Sequence, residues 1–235
     1  MYVNAHGGGF VIRYPERDDP LCRYLALRAG VAVLNVDYVV APRHRFPDPV
    51  EQLCDVVCWA AGATGEWDGA RLCVGGQSAG GALAAGAARL ALESGGPRIA
   101  LQVLHYAPLD LVTVREPGSG AGGRSVVPIW MAEMFHTAYI REPAQRHDRL
   151  ASPAWEANGD GIEGIAAALV ITPERDPLRA GGAAYAGKLA AAGCLAAYRD
   201  VPGADHGYDI VGNDEGLIRQ MYDVIVGHVI EATGG

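Results

Sequence analysis

The stretch that most limits the fold is Arg71 to Leu92. A short strand-like run, Arg71 to Val74, passes through Gly75 and Gly76 into Gln77-Ser78-Ala79-Gly80. A small-residue stretch of helical character, Ala79 to Leu92, follows at once. A strand that turns so sharply into a helix is a βα unit, and the chain keeps that rhythm. Val31 to Tyr38, Ala100 to Tyr106, Ala166 to Thr172 and Leu195 to Val201 read as strands. Asp48 to Ala61, Leu178 to Ala192 and Glu215 to Glu231 read as helices. Such alternation specifies an α/β fold, a mostly parallel sheet with helices on both faces. The 235 residues, half of them hydrophobic, suffice for one core of that kind, and no repeat or long linker divides them. A single domain over residues 1–235 is expected.

The formal net charge of −8 argues against a nucleic-acid partner and gives no support for docking on anionic membranes. Met1 to Phe10 lacks the basic start and apolar run of a signal peptide. No apolar stretch approaches the roughly 20 residues that a membrane helix needs. Cys22, Cys54, Cys58, Cys73 and Cys194 are scattered, without the ligand spacing of a metal site. They read as reduced core cysteines of a cytoplasmic protein, with no metal and no cofactor.

Gly76-Gln77-Ser78-Ala79-Gly80 fits G-x-S-x-G at a strand-to-helix junction, where a serine is exposed on a strained turn as a nucleophile. Side chains in place of the flanking glycines would collide with neighbouring backbone. His6-Gly7-Gly8-Gly9-Phe10 is a second constellation. Three glycines after a short strand leave N–H groups free to face the oxyanion that acyl transfer creates, and the N–H of Ala79 adds another. No Lys or Ser/Thr follows in the manner of a phosphate loop. His6 reads as a residue that positions this glycine loop rather than as a base.

An acid and a base should follow the nucleophile in the order Ser, Asp, His. Asp176, in Glu174-Arg175-Asp176-Pro177-Leu178, and His206, in Asp205-His206-Gly207-Tyr208, both follow strands. They therefore belong at the carboxyl ends of the sheet, where open α/β sheets carry their sites. His206 can take the Ser78 proton and return it to a leaving group, with Asp176 fixing its tautomer. Glu174, Asp200, Asp205 and Asp209 read as solvated surface charges. His44 lies in the turn Ala41 to Pro47, which is assigned a structural role.

Leu111 to Pro153 breaks the rhythm. It holds a glycine-rich patch, Gly118 to Gly123, and then Trp130, Met131, Met134, Phe135 and Tyr139. It is too long for an ordinary connection and suits either a surface helix or the wall of a pocket. Trp130, Met134 and Phe135, with Phe10 and Tyr208 beside the glycine loop and the base, are the candidate substrate contacts.

Taken together, the HGGGF run, the GQSAGG run, the DPL segment and the DHGY segment resemble the hormone-sensitive-lipase-like carboxylesterases, the bacterial family IV esterases. Tyr38 to Pro47 also resembles that family's tyrosine–alanine–proline turn. The resemblance spans essentially the whole chain. It implies an α/β-hydrolase fold and hydrolysis of short- to medium-chain carboxylic esters. It carries the nucleophile to Ser78, the acid to Asp176, the base to His206, and the oxyanion donors to Gly7, Gly8, Gly9 and Ala79, with Gly8 and Gly9 favoured. Residues 111–153 would be a cap-like insertion.

Three departures stand out. Gln77 replaces the family's acidic residue before the nucleophile, and Arg43 stands where glutamate is usual. The HGGG run begins at residue 6, so the family's N-terminal cap and first two strands are expected to be absent and the pocket more open. Val31 to Tyr38 would then be an unprotected edge strand, which predicts a homo-oligomer, taken as a dimer. Alternatives on the same scaffold are an acyltransferase or eliminating enzyme, a ligand-binding protein, and an inactive truncated product.

Overall fold

A computed structural model describes residues 1–63, 67–113 and 127–234. The glycine-rich patch Gly118 to Gly123 lies outside the described residues. Six strands are present among them: β1 (Tyr2–Ala5), β2 (Val33–Val36), β3 (Leu72–Gln77), β4 (Ile99–His105), β5 (Ala168–Pro173) and β6 (Leu195–Val201). They form one sheet in the order β2-β1-β3-β4-β5-β6, and every pairing is parallel. Six α-helices connect or flank them: α1 (Asp19–Ala29), α2 (Asp48–Gly62), α3 (Ala79–Glu93), α4 (Ile129–Tyr139), α5 (Arg179–Ala191) and α6 (Glu215–Thr233).

The period of two along each strand sorts its side chains between two cores. Val3, Leu72, Val74 and Leu104 pack with α2, α3 and α5 on one face. Tyr2, Cys73, Val103 and Ile171 pack with α1 and α6 on the other. Because both faces are covered, the central strands are continuously buried, as all-parallel sheets require. Helix α3 lies closest to the sheet. Eleven of its fifteen residues are buried, and nearly all of those are Ala or Gly, which let the helix sit low over β1, β3 and β4.

The α/β class is borne out, with two differences of detail. The Val31 to Tyr38 strand is shorter, Val33–Val36, and lies at an edge of the sheet with half-buried side chains. Helix α1, on which Leu21, Cys22 and Leu25 are buried, was not expected. Its polar residues mask a narrow apolar face. The cysteines are all free, but Cys58 is exposed and therefore no core residue, because the outer side of α2 faces solvent. Among the described residues no helix is long and apolar enough to cross a membrane.

Leu83 is fully buried where α3 meets the sheet and α2. Leu83→Ala should lower the unfolding free energy by about 3 kcal/mol in urea denaturation, the usual cost of a leucine-sized core cavity.

Candidate active site

Parallel strands bring every loop that leaves a carboxyl end to the same edge of the sheet. The loops after β1, β3, β5 and β6 carry His6 to Phe10, Ser78, Asp176 and His206. The register sets Ala5 beside Gly76, so the glycine loop and the serine turn leave the sheet side by side. A Cβ on Gly76 would lie 2.3 Å from the Ala5 carbonyl oxygen, and one on Gly80 would lie 1.8 Å from it. Both flanking glycines are therefore required by close backbone approach.

Ser78 sits at φ 52°, ψ −121° just before α3, a conformation side chains rarely adopt. It is held there by its N–H, which donates to the His105 carbonyl at 2.9 Å, and by its own carbonyl, which accepts from Gly81 and Ala82. Among the described residues Phe10 and Tyr106, both lining the same pocket, are the other non-glycine residues with positive φ, at 65° and 41°. Strain of this kind costs about 1–3 kcal/mol per residue and clusters at functional sites.

The His206 Nε2 atom lies 3.0 Å from Ser78 Oγ, and its Nδ1 lies 2.7 Å from Asp176 Oδ2. The other Asp176 oxygen accepts from the Leu178 N–H at 2.8 Å. Asp176 and His206 are both buried. This arrangement can pass a proton from a serine hydroxyl to an imidazole whose tautomer is fixed by a carboxylate.

The glycine loop presents its amides to the same pocket. Among the described residues, the N–H groups of Gly8, Gly9 and Ala79 have no acceptor. Gly7, expected with them, also lines the pocket, and its amide helps hold down the pKa of the buried Asp18 carboxyl. His6 is buried, stacks on Tyr38 at 4.2 Å and accommodates the Gly7 carbonyl at its Nδ1, while the Tyr38 hydroxyl donates to the His6 carbonyl at 2.8 Å. It thus braces the loop, and the Tyr38 to Pro47 turn contributes that brace.

The pocket over Ser78 is lined by Gly8, Gly9, Phe10, Tyr106 and His206, with Met131, Ala132, Phe135 and His136 on α4. Ile12, Leu178, Ile210 and Val211 add apolar wall, and Arg17 adds a cation. Phe10 and Phe135 thus stand where the sequence suggests. Trp130 and Met134 do not: they are exposed on the opposite face of α4, while residues 131, 132 and 135 turn inward. Tyr208 is buried beside the site but lines no part of the pocket, because its hydroxyl is tied to His105 Nε2 at 2.8 Å. His136 carries no motif; its only signal is a helical spacing that places it next to Phe135 and Ala132.

Asp209 is a further correction. It is buried rather than solvated, and its carboxylate accepts from Gln77, from Tyr106 at 2.7 Å and from Tyr222 at 3.1 Å. Glu174, Asp200 and Asp205 keep more solvent contact; Asp200 pairs with Arg179 at 2.7 Å.

Comparisons with known proteins point one way. Residues 2–210 match the model of a family described by the alpha/beta hydrolase fold. The chain is 33% identical over 216 residues to the carboxylic ester hydrolase LipN of Mycobacterium tuberculosis, a match covering 88% of this chain and 57% of that protein. This chain therefore spans less than two thirds of that relative's length. An 89-residue segment, 35% of this chain and 11% of the relative, is 37% identical to hormone-sensitive lipase of Bos taurus. The solved esterase of Pyrobaculum calidifontis, monoclinic form, superposes with a TM-score of 0.90 at 31% identity, over 98% of this chain and 75% of that one.

Asp18, one residue before α1, lies buried under the glycine loop. Burial pushes its pKa up to about 7, although the Asn4 side chain at 3.2 Å and the Gly7 amide hold it lower than burial alone would. The folded state therefore keeps this proton above pH 3.8, where the unfolded chain releases it. Stability must fall as pH rises through that window, by about 4 kcal/mol from this group. Urea unfolding across pH 4 to 8 should show Asp18→Asn gaining on the wild type with rising pH, until the gain levels off above pH 7.

Proposed function

The chain belongs to the hormone-sensitive-lipase-like α/β-hydrolases, and on that premise we propose that it hydrolyses carboxylic esters through an acyl-enzyme on Ser78. The observation that carries this reading is the continuous chain of contacts from Ser78 Oγ through His206 to Asp176, beside unpaired amides. His206 Nε2 takes the Ser78 proton as Oγ attacks the ester carbonyl carbon. The carbonyl oxygen gains negative charge and accepts from the amides of Gly8, Gly9 and Ala79. Asp176 stabilises the imidazolium. On collapse, His206 returns the proton to the departing alcohol oxygen, leaving Ser78 acylated. Water, deprotonated by His206, then attacks the acyl carbon, and Ser78 leaves with the proton.

The apolar walls formed by Met131, Phe135, Leu178 and Ile210 fit esters with short to medium acyl chains. We take residues 111–153 as a cap-like insertion whose helix α4 forms one wall of the pocket. Five free thiols fit a reducing compartment, and the reading includes the cytoplasm.

The reading is tested with short-chain p-nitrophenyl esters. Wild-type protein should turn them over, and Ser78→Ala should lower kcat by at least ~10⁴-fold with its fold intact. A folded wild type without activity would favour a binding protein or a non-hydrolytic enzyme instead.

The reading extends to assembly. The edge strand β2 carries Val33, Leu34 and Val36 and has no Pro or Lys to block pairing. A homodimer joined through this edge should appear by light scattering at micromolar concentration. A monodisperse monomer there would remove this part of the reading.

A further inference from the structure

We propose that Asp209 is a positioning residue for the reaction, coupling the nucleophile's turn to the base's loop through Gln77. The inference rests on the reading of Ser78 and His206 given above. Gln77 is the last residue of β3, immediately before Ser78, and is fully buried. Asp209 follows His206 by three residues in the loop after β6. The Gln77 Nε2 group donates to Asp209 Oδ2 and to the Tyr106 hydroxyl at 3.0 Å. Tyr106 in turn donates to Asp209 Oδ1 and lies edge-on to the His206 ring, with centroids 4.9 Å apart. Tyr222 of α6 closes the set from below.

Chemistry makes this arrangement more than packing. A carboxylate is costly to bury unless its lone pairs are filled. Among the described residues no cation pairs with Asp209, so three neutral donors satisfy it, and each comes from a different part of the site. Gln77 leads into the nucleophile, Tyr106 touches the base, and Tyr222 anchors the whole to α6. The Ser78–His206 separation depends on two loops that no backbone bond joins directly. The Asp209–Gln77 bond spans them at one residue from Ser78 and three from His206. Neither Asp209 nor Gln77 lines the pocket. Loss of their bond should therefore misplace the base relative to the nucleophile without changing how substrate is held.

The side chains allow an isosteric reversal. Asp209→Asn sets an amide against the Gln77 amide. Gln77→Glu sets two carboxylates together. The double variant again pairs a donor with an acceptor, now in the opposite sense. Two quantities are read on the full-length protein. One is kcat and KM for p-nitrophenyl butyrate. The other is the rate at which a fluorophosphonate, expelling fluoride, phosphonylates Ser78, followed by mass spectrometry. The second reports nucleophile activation even if the protein hydrolyses no ester, so failure of the hydrolase reading is distinguishable from failure of this one.

Each single variant should lower kcat and the phosphonylation rate by at least about ten-fold, with KM within about two-fold of wild type. The double variant should regain at least about five-fold over the weaker single variant, the non-additivity expected of a direct pair. Wild-type rates in Asp209→Asn, a loss confined to KM, or a double variant no faster than the singles would each overturn the proposal. If Asp209→Asn does not fold, Tyr222→Phe, which removes one donor to the same carboxylate, is read in its place. A fall in both rates at unchanged KM supports the proposal, and unchanged rates overturn it.

Discussion

Helix α3 begins against the end of strand β1 with no side chain between them. The space beside Gly76 and Gly80 is filled by the Ala5 and His6 carbonyls, and a single methyl group at either glycine would overlap backbone. This contact fixes where the glycine loop runs relative to Ser78. Gly7 passes the Gln77 carbonyl so closely that its own Cβ would lie 3.3 Å from that oxygen. The loop's free amides and the serine's free amide neighbour are thus set by sheet register and small residues, before any catalytic side chain is considered. The strained φ values of Phe10, Ser78 and Tyr106 are carried by the same packing. Phe10 is clamped by a 4.0 Å stack on Tyr139 and by the Ala41 N–H that its carbonyl accepts.

Beneath the site the sheet is polar. Asn4, Asp18, Gln77, His105 and Asp209 are all buried there. Three buried carboxylates meet this shared problem with different donors. Asp176 faces His206 and the Leu178 amide. Asp209 has three neutral donors. Asp18 has one side-chain donor, the Asn4 amide, and burial, aided by the nearby Asp209 charge, raises its pKa to about 7.

Much of this was legible in the sequence, for a physical reason. Ser78, Asp176 and His206 each follow a strand, and parallel strands leave no choice about which edge their following loops share. Residues fixed by chain order relative to strands can be read without coordinates. Residues fixed by rotation about a helix axis cannot be read when the helix is apolar nearly all round. In Ile129–Tyr139 the run IWMAEMFHTAY offers apolar groups on every side, so Trp130 and Met134 looked as suitable as Met131 and Phe135. Asp209 failed for another reason. An acidic residue in a polar loop is solvated by default, and only the convergence of Gln77, Tyr106 and Tyr222 from separate elements makes burial affordable. Gln77 itself reads in sequence as a lost acid; in space it faces one.

The wall of the pocket and the amides beside it are one mechanical unit. The Phe135 ring occupies the space a side chain on Gly9 would need, at 2.3 Å from its ideal Cβ. Tyr139, one turn further along α4, carries the Phe10 stack. The far end of the helix is held by Arg45, whose guanidinium donates to the carbonyls of Thr137 and Ala138, a favourable place for a cation at a helix C-terminus. Arg45 belongs to the turn that follows Tyr38, and Tyr38 braces His6. Helix α4 thus packs on the glycine loop at two points, Phe135 over Gly9 and Tyr139 against Phe10. On the reading proposed above, the wall that would limit the acyl group and the amides that would face the developing charge therefore rest on the same packing contacts.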